Sequence, residues 1–165
     1  MKSSKRLYIA YGSNMNLTQM ARRCPNAKLI GKTELEDYEL LFRGNRSSAV
    51  ATIEPKKGSR VPVLIWELSA LDEEALDIYE GYPRLYDKTM LDVKIGKEIV
   101  CSMVYIMTPG HSFGVPSESY RRIIEEGYRS AEIDTGILEQ AVKEAYELSG
   151  QDQEPLISGT MLGIR

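Results

Sequence analysis

Strand-like runs and helical stripes follow one another along this chain without strict β-α alternation, and that order reads as α+β. The expected form is a small, partly closed mixed β-barrel with flanking helices, built from about six strands. Leu7–Tyr11 is a short apolar run that stops at Gly12 and reads as a buried strand. Further strand-like pieces are Ala27–Glu36, Tyr38–Arg43, Ala49–Glu54 and Val61–Leu68, punctuated by Asn45, Pro55 and Gly58. Tyr86–Ile95 and Ile99–Met107 flank Gly96-Lys97, a two-residue hairpin turn. Asn16 with Gln19 three residues on resembles a capping box, so a helix bearing Leu17, Met20 and Ala21 is expected there, ending at Pro25. Ser69 and Asp72 mark a second start, with Leu71, Ala75, Leu76 and Tyr79 as its stripe and Gly81 and Pro83 as its stop. Ser117 and Asp134 are the caps expected for two later helices, the second closed by Gly150. At 165 residues the chain reads as one domain over residues 1–150, with a tail of uncertain order over 151–165.

Charge and residue counts exclude several classes of function. With 21 Lys and Arg against 24 Asp and Glu, the net charge is −3, which does not suit a nucleic-acid binder. No apolar run approaches the ~18–20 residues of a membrane span, so no membrane partner is expected and the cytoplasm is the expected location. There is one histidine, His111, read as an exposed loop residue, through which any Ser-His-Asp triad would have to run. Cys24 and Cys101 lie far apart in sequence, without zinc-ligand spacing, and read as a packed thiol and a strand residue. Proton chemistry therefore falls to a carboxylate or a tyrosine. Tyrosine is abundant, 10 against 2 Phe and 1 Trp, and half-exposed sheet faces account for most of these rings in this reading, pocket walls for the rest.

Two segments carry candidate chemistry. Tyr11-Gly12-Ser13-Asn14-Met15 stands at a strand end leading into a helix, where glycine admits close approach and free backbone N–H groups suit an anion or oxyanion. Taken alone, such a turn is more often a plain connection. Glu80, in Leu76-Asp77-Ile78-Tyr79-Glu80-Gly81-Tyr82-Pro83, stands at the C-terminal end of a helix, where the backbone dipole disfavours an anion. Partial burial there would raise its pKa toward the range of a general acid or base, whereas a solvated helix-end glutamate would do nothing.

Together these segments, with Tyr86, resemble the gamma-glutamylcyclotransferase-like family, which joins a Tyr-Gly-Ser-Asn turn to a Glu-Gly element further on. Ala21–Ala27, the Ala49–Ile53 strand and Tyr120–Tyr128 are similar to it too, so the resemblance runs over roughly residues 6–150. Met15 replaces the commoner leucine, and the Tyr-Glu-Gly-Tyr-Pro form of the glutamate element resembles branches acting on gamma-glutamylamines. The resemblance implies release of 5-oxoproline from a small-molecule gamma-glutamyl amide, with Glu80 as the catalytic base and acid. It puts substrate on Tyr11, Gly12, Ser13, Asn14 and Met15; Tyr8 and Tyr86 are pocket rings or core packing. No metal or cofactor is required, because the substrate's own α-amine is a tethered nucleophile. The leaving amine and the oligomeric state stay open. A non-catalytic module holding an amino-acid-like ligand is the alternative; a phosphate site is disfavoured, since no Gly-Lys-Ser/Thr follows the turn. Arg22-Arg23 and Lys56-Lys57 read as solvated, and Arg43 or Arg46 as a possible partner for a substrate carboxylate.

Overall fold

The computed structural model describes residues 5–153. Its ten-residue and longer strands come from fewer, longer elements than the sequence punctuation suggests. The strands are β1 (Arg6–Ala10), β2 (Lys28–Gly44), β3 (Ala49–Leu68), β4 (Tyr86–Ile95) and β5 (Glu98–Met107). The helices are α1 (Leu17–Arg23), α2 (Ala70–Glu80), α3 (Glu118–Ser130) and α4 (Gly136–Leu148). A 3-10 turn over Ser13–Met15 joins β1 to α1.

The sheet order is β2-β3-β1-β5-β4, so the shortest strand is the central one. That position explains its apolar run: Ile9 and Ala10 are wholly buried. β1 pairs antiparallel with β3 and parallel with β5, which makes the sheet mixed. β2 and β4, at the two ends of the order, approach each other without hydrogen-bonded pairing among the described residues, so the sheet curls round but does not close.

The four pieces expected between Ala27 and Leu68 are two continuous strands. β2 absorbs its interruption as a bulge: the register slips between Glu36 and Tyr38, and Asp37 takes φ 65°. β3 continues through Pro55 and Gly58 midway along the hairpin, in an exposed stretch beside the β2 bulge where the pairing passes from Tyr38–Pro55 to Glu36–Arg60. The β4–β5 hairpin turns at Gly96, φ 60°, as its sequence predicts.

Helix ends follow their caps. The Asn16 side chain accepts from the Gln19 N–H, and Ser69 and Asp72 form a reciprocal capping box. Gly81 ends α2 in the left-handed conformation, φ 67°. Ser117 caps α3 through the Tyr120 N–H. The last cap is one residue later than expected: Thr135 precedes α4, and Asp134 instead accepts from the Gly136 N–H. The α2 stripe also differs from expectation, because only Leu76 of its four members is buried, while Leu71 and Tyr79 face outward. α3 packs on the 3-10 turn, α4 on β2. The part of the expected tail at residues 154–165 lies outside the described residues.

Candidate active site

The curl of the sheet leaves a cavity of about 190 Å³ at one end of β1. Its wall comes from segments spread along the chain: Tyr8 and the Gly12–Asn14 turn, Ala51 of β3, Tyr79 and Glu80 of α2, Tyr86 of β4, Tyr105 of β5 and Tyr120 of α3. Two segments more than sixty residues apart in the sequence thus share one small space. Of the residues singled out from sequence, Tyr8, Tyr11, Gly12, Ser13, Asn14, Glu80 and Tyr86 line it.

Met15 does not. It is fully buried beneath the turn, where α3 passes so close that a Cβ on Gly127 would lie 2.5 Å from the Met15 carbonyl group. An apolar side chain at this position anchors the turn to the core rather than facing the cavity. Tyrosines, too, fall differently from expectation. Six of the 10 (Tyr8, Tyr11, Tyr79, Tyr86, Tyr105 and Tyr120) wall the cavity, so pocket walls, not sheet faces, account for most of them. All but the more exposed Tyr79 set an apolar ring in or against the core.

The hydroxyls are directed by the backbone around them. Tyr11 donates to the Tyr105 carbonyl at 2.6 Å, Tyr86 donates to the Ala51 carbonyl, and Tyr105 donates to Asp77 at 2.6 Å. Two others accept instead. Tyr120 accepts from the Ala51 N–H at 3.0 Å and Tyr8 from the Asn14 side-chain amide at 2.9 Å. Their own protons therefore have no acceptor among the described residues. Burial holds Tyr8, Tyr11, Tyr86 and Tyr120 above the ordinary tyrosine range, so these groups are neutral near pH 7.

Among the described residues, Glu80 is the only carboxylate on the wall. It closes α2, makes no hydrogen bond or ion pair among the described residues, and has its pKa raised by burial from 4.5 to about 7, with Arg23 opposing the rise. The residue as a whole is half-buried, so the carboxyl end, inside the cavity, carries the desolvation. The turn shares that wall. Its Met15 and Asn16 N–H groups are consumed by the Gly12 and Ser13 carbonyls, whereas those of Gly12, Ser13 and Asn14 make no hydrogen bond among the described residues. A carboxyl of raised pKa and a turn with unengaged N–H donors thus line one cavity together with tyrosine rings.

Several side chains left at the margin by sequence take definite places. Arg23 is not solvated: it is half-buried, hydrogen-bonded to Asn14 and Gln19, and stacked 3.6 Å over the Tyr79 ring. Arg43 is paired with Glu54 at 2.6 Å and stacked on Phe113, and neither it nor Arg46 lines the cavity. His111 is half-buried, its ring on the Thr108 hydroxyl. Cys24 is buried and Cys101 exposed. Tyr79, Tyr105 and Tyr120 are wall residues that the sequence reading did not assign to the site: Tyr79 stood there only as a helix-stripe residue beside Glu80 and Tyr120 only within the Tyr120–Tyr128 similarity, while for Tyr105 the surplus of tyrosine over phenylalanine was the one signal. Among the described residues, no group of three or more His, Cys, Asp and Glu could hold a metal ion, and no helix is long and apolar enough to cross a membrane.

The chain is similar in sequence and in fold to known proteins. A family model described as gamma-glutamyl cyclotransferase, AIG2-like, matches residues 8–129. A gamma-glutamylcyclotransferase of Homo sapiens is 31% identical over 130 residues, spanning 72% of this chain and 67% of that protein. One of Bos taurus is 32% identical over 128 residues, with the same coverage of each chain. A solved structure named gamma-glutamyl cyclotransferase superposes with a TM-score of 0.74 at 22% identity, over 98% of this chain and 96% of that one, a likeness of fold.

Proposed function

The chain belongs to the gamma-glutamyl cyclotransferase, AIG2-like family, and from that premise we propose that it cyclises a gamma-glutamyl amide to 5-oxoproline and a free amine. The observation that carries this reading is the shared cavity, which Glu80 and the Gly12–Asn14 turn both line. In the proposed reaction the substrate's α-nitrogen attacks its own γ-carbonyl carbon. The five-membered ring closes and the carbonyl electrons move onto oxygen. The nucleophile is tethered, so the protein's task is to fold the glutamyl chain into attack geometry and exclude alternatives.

Glu80 takes a proton from the α-ammonium, which frees the lone pair for attack, and gives it to the leaving nitrogen as the old C–N bond breaks. The new ring nitrogen sheds its second proton to the ionised Glu80, which passes it to the departing amine as an ammonium, so Glu80 ends as it began. A carboxyl of pKa about 7 suits both steps, since neither protonation state is far from the working pH. The unengaged N–H groups of the turn receive the tetrahedral oxyanion, each donor contributing on the order of 3 kcal/mol. Tyr8 and Tyr120 bring free hydroxyl protons to the substrate's carboxylate or carbonyl. The neutral rings keep water away and strengthen every such interaction.

The experiment is a screen of gamma-glutamyl amides, differing in the amine, for release of 5-oxoproline by mass spectrometry. The expected products are 5-oxoproline and amine, and N-acetylation of the glutamyl nitrogen abolishes the reaction. Glutamate carrying oxygen from labelled water would overturn cyclisation in favour of hydrolysis. No product from any amide, with ligand affinity unchanged in Glu80→Gln, would describe a binding module instead.

A further inference from the structure

The site's polarity is set from outside its wall. Arg23, the last residue of α1, donates through one guanidinium nitrogen to Asn14 Oδ1 at 2.5 Å and through the other to Gln19 Oε1 at 2.7 Å. A guanidinium has no acceptor, so the Asn14 atom facing it must be the carbonyl oxygen. The other end of that amide, Nδ2, is then the atom 2.9 Å from the Tyr8 hydroxyl, and it can only donate. The Tyr8 oxygen accepts, and its proton is left for the cavity that its ring lines.

We propose that Arg23 is a positioning residue for Tyr8: by donating to Asn14 it orients the amide, and the amide in turn leaves the Tyr8 proton for substrate. This rests on the cyclotransferase reading above. Three further contacts hold the chain in place. Trp66 donates its indole N–H to the Asn14 backbone carbonyl at 3.1 Å, pinning the residue. The Arg23 guanidinium stacks on Tyr79, whose hydroxyl shares a 2.9 Å hydrogen bond with Ser13 of the same turn. Arg23 has only neutral acceptors and a ring around it, and no carboxylate pairs with it among the described residues. Its geometry is that of an orienting fork, a task for which lysine is a poor substitute. Without the guanidinium the amide is free to turn over, Tyr8 then donates to Asn14 Oδ1, and the proton is lost to substrate.

The test is a double-mutant cycle on 5-oxoproline release. Arg23→Met and Tyr8→Phe are each expected to lower kcat/KM by roughly ten- to a hundredfold, as loss of one transition-state donor does. The double variant is expected to be no worse than the poorer single one, because both remove the same proton. Arg23→Lys, which retains a charged donor, recovers part of the loss. Multiplying losses in the double variant, or Arg23→Met at the wild-type rate, would overturn the proposal. If the wild-type chain releases no 5-oxoproline, the cyclotransferase reading fails by itself. The chain of hydrogen bonds is then read without substrate, by the nuclear Overhauser contact between the Asn14 amide protons and the Tyr8 ring. That contact is expected in the wild type, weaker in Arg23→Lys and absent in Arg23→Met; its persistence in Arg23→Met overturns the proposal.

Discussion

At the scale of single residues, the surroundings of Glu80 lift its carboxyl above the ordinary carboxylate range. It sits at a helix C-terminus, it is desolvated, and no cation pairs with it directly; only Arg23, engaged elsewhere, moderates the effect. Glu80→Gln keeps size and shape and removes the proton carrier. Turnover is expected to fall by roughly 10²–10⁴ while substrate affinity stays nearly constant, measured as kcat against Kd. The acidic limb of the wild-type kcat/KM profile is expected near pH 7, where the carboxyl ionises. A limb near pH 4.5 would mean that another group carries the proton.

At the scale of elements, the site depends on how two helices end and one approaches. α2 delivers Glu80, and the Ser69–Asp72 capping box holds its first turn. Ser69→Ala removes one of the two reciprocal bonds and is expected to lower unfolding stability by about 1 kcal/mol, read as a shifted urea midpoint with unchanged slope. α3 meets the 3-10 turn at Gly127, whose missing Cβ allows the contact with Met15; backbone, not a yielding side chain, stands 2.5 Å from where that Cβ would be. Gly127→Ala therefore has no cheap relaxation. A loss of roughly 1–3 kcal/mol is expected from overpacking, and because the displaced partner is the Gly12–Met15 turn, kcat is expected to fall with it. Full activity in Gly127→Ala would show that the turn tolerates displacement.

For the whole molecule, a raised carboxyl pKa links catalysis to stability with a definite sign. Between about pH 4.5, where an unfolded glutamate ionises, and about pH 7, the folded chain binds more protons at Glu80 than the unfolded chain does. This contribution to stability is fully present below pH 4.5 and lost as the pH rises through 7. Glu80→Gln is thus expected to match the wild type in thermal unfolding at pH 4 and to exceed it at pH 8, by on the order of 1–3 kcal/mol after allowance for solvent at the cavity. Equal curves at pH 8 would contradict the desolvation of Glu80. Local chemistry in the sequence determined much of this molecule. Caps at Asn16, Ser69 and Ser117, stops at Gly81 and Gly96, and the apolar central run of β1 act within a few residues, so they were legible without the fold. The paired motifs around Gly12 and Glu80 were legible through family resemblance, not through physics. What only tertiary structure decided was every relation across the sheet. Strand continuity through Asp37 and Pro55 depended on pairing partners, which can override a local break. The ring of tyrosines arose because strands far apart in sequence bring their ends to one mouth of a curled sheet. Arg23 looked solvated because the Asn14 oxygen that accepts from it and the Tyr79 ring on which it stacks reach it through the turn of one segment and the packing of another. Propensity acts over neighbours along the chain, whereas hydrogen-bond direction and desolvation are set by neighbours in space.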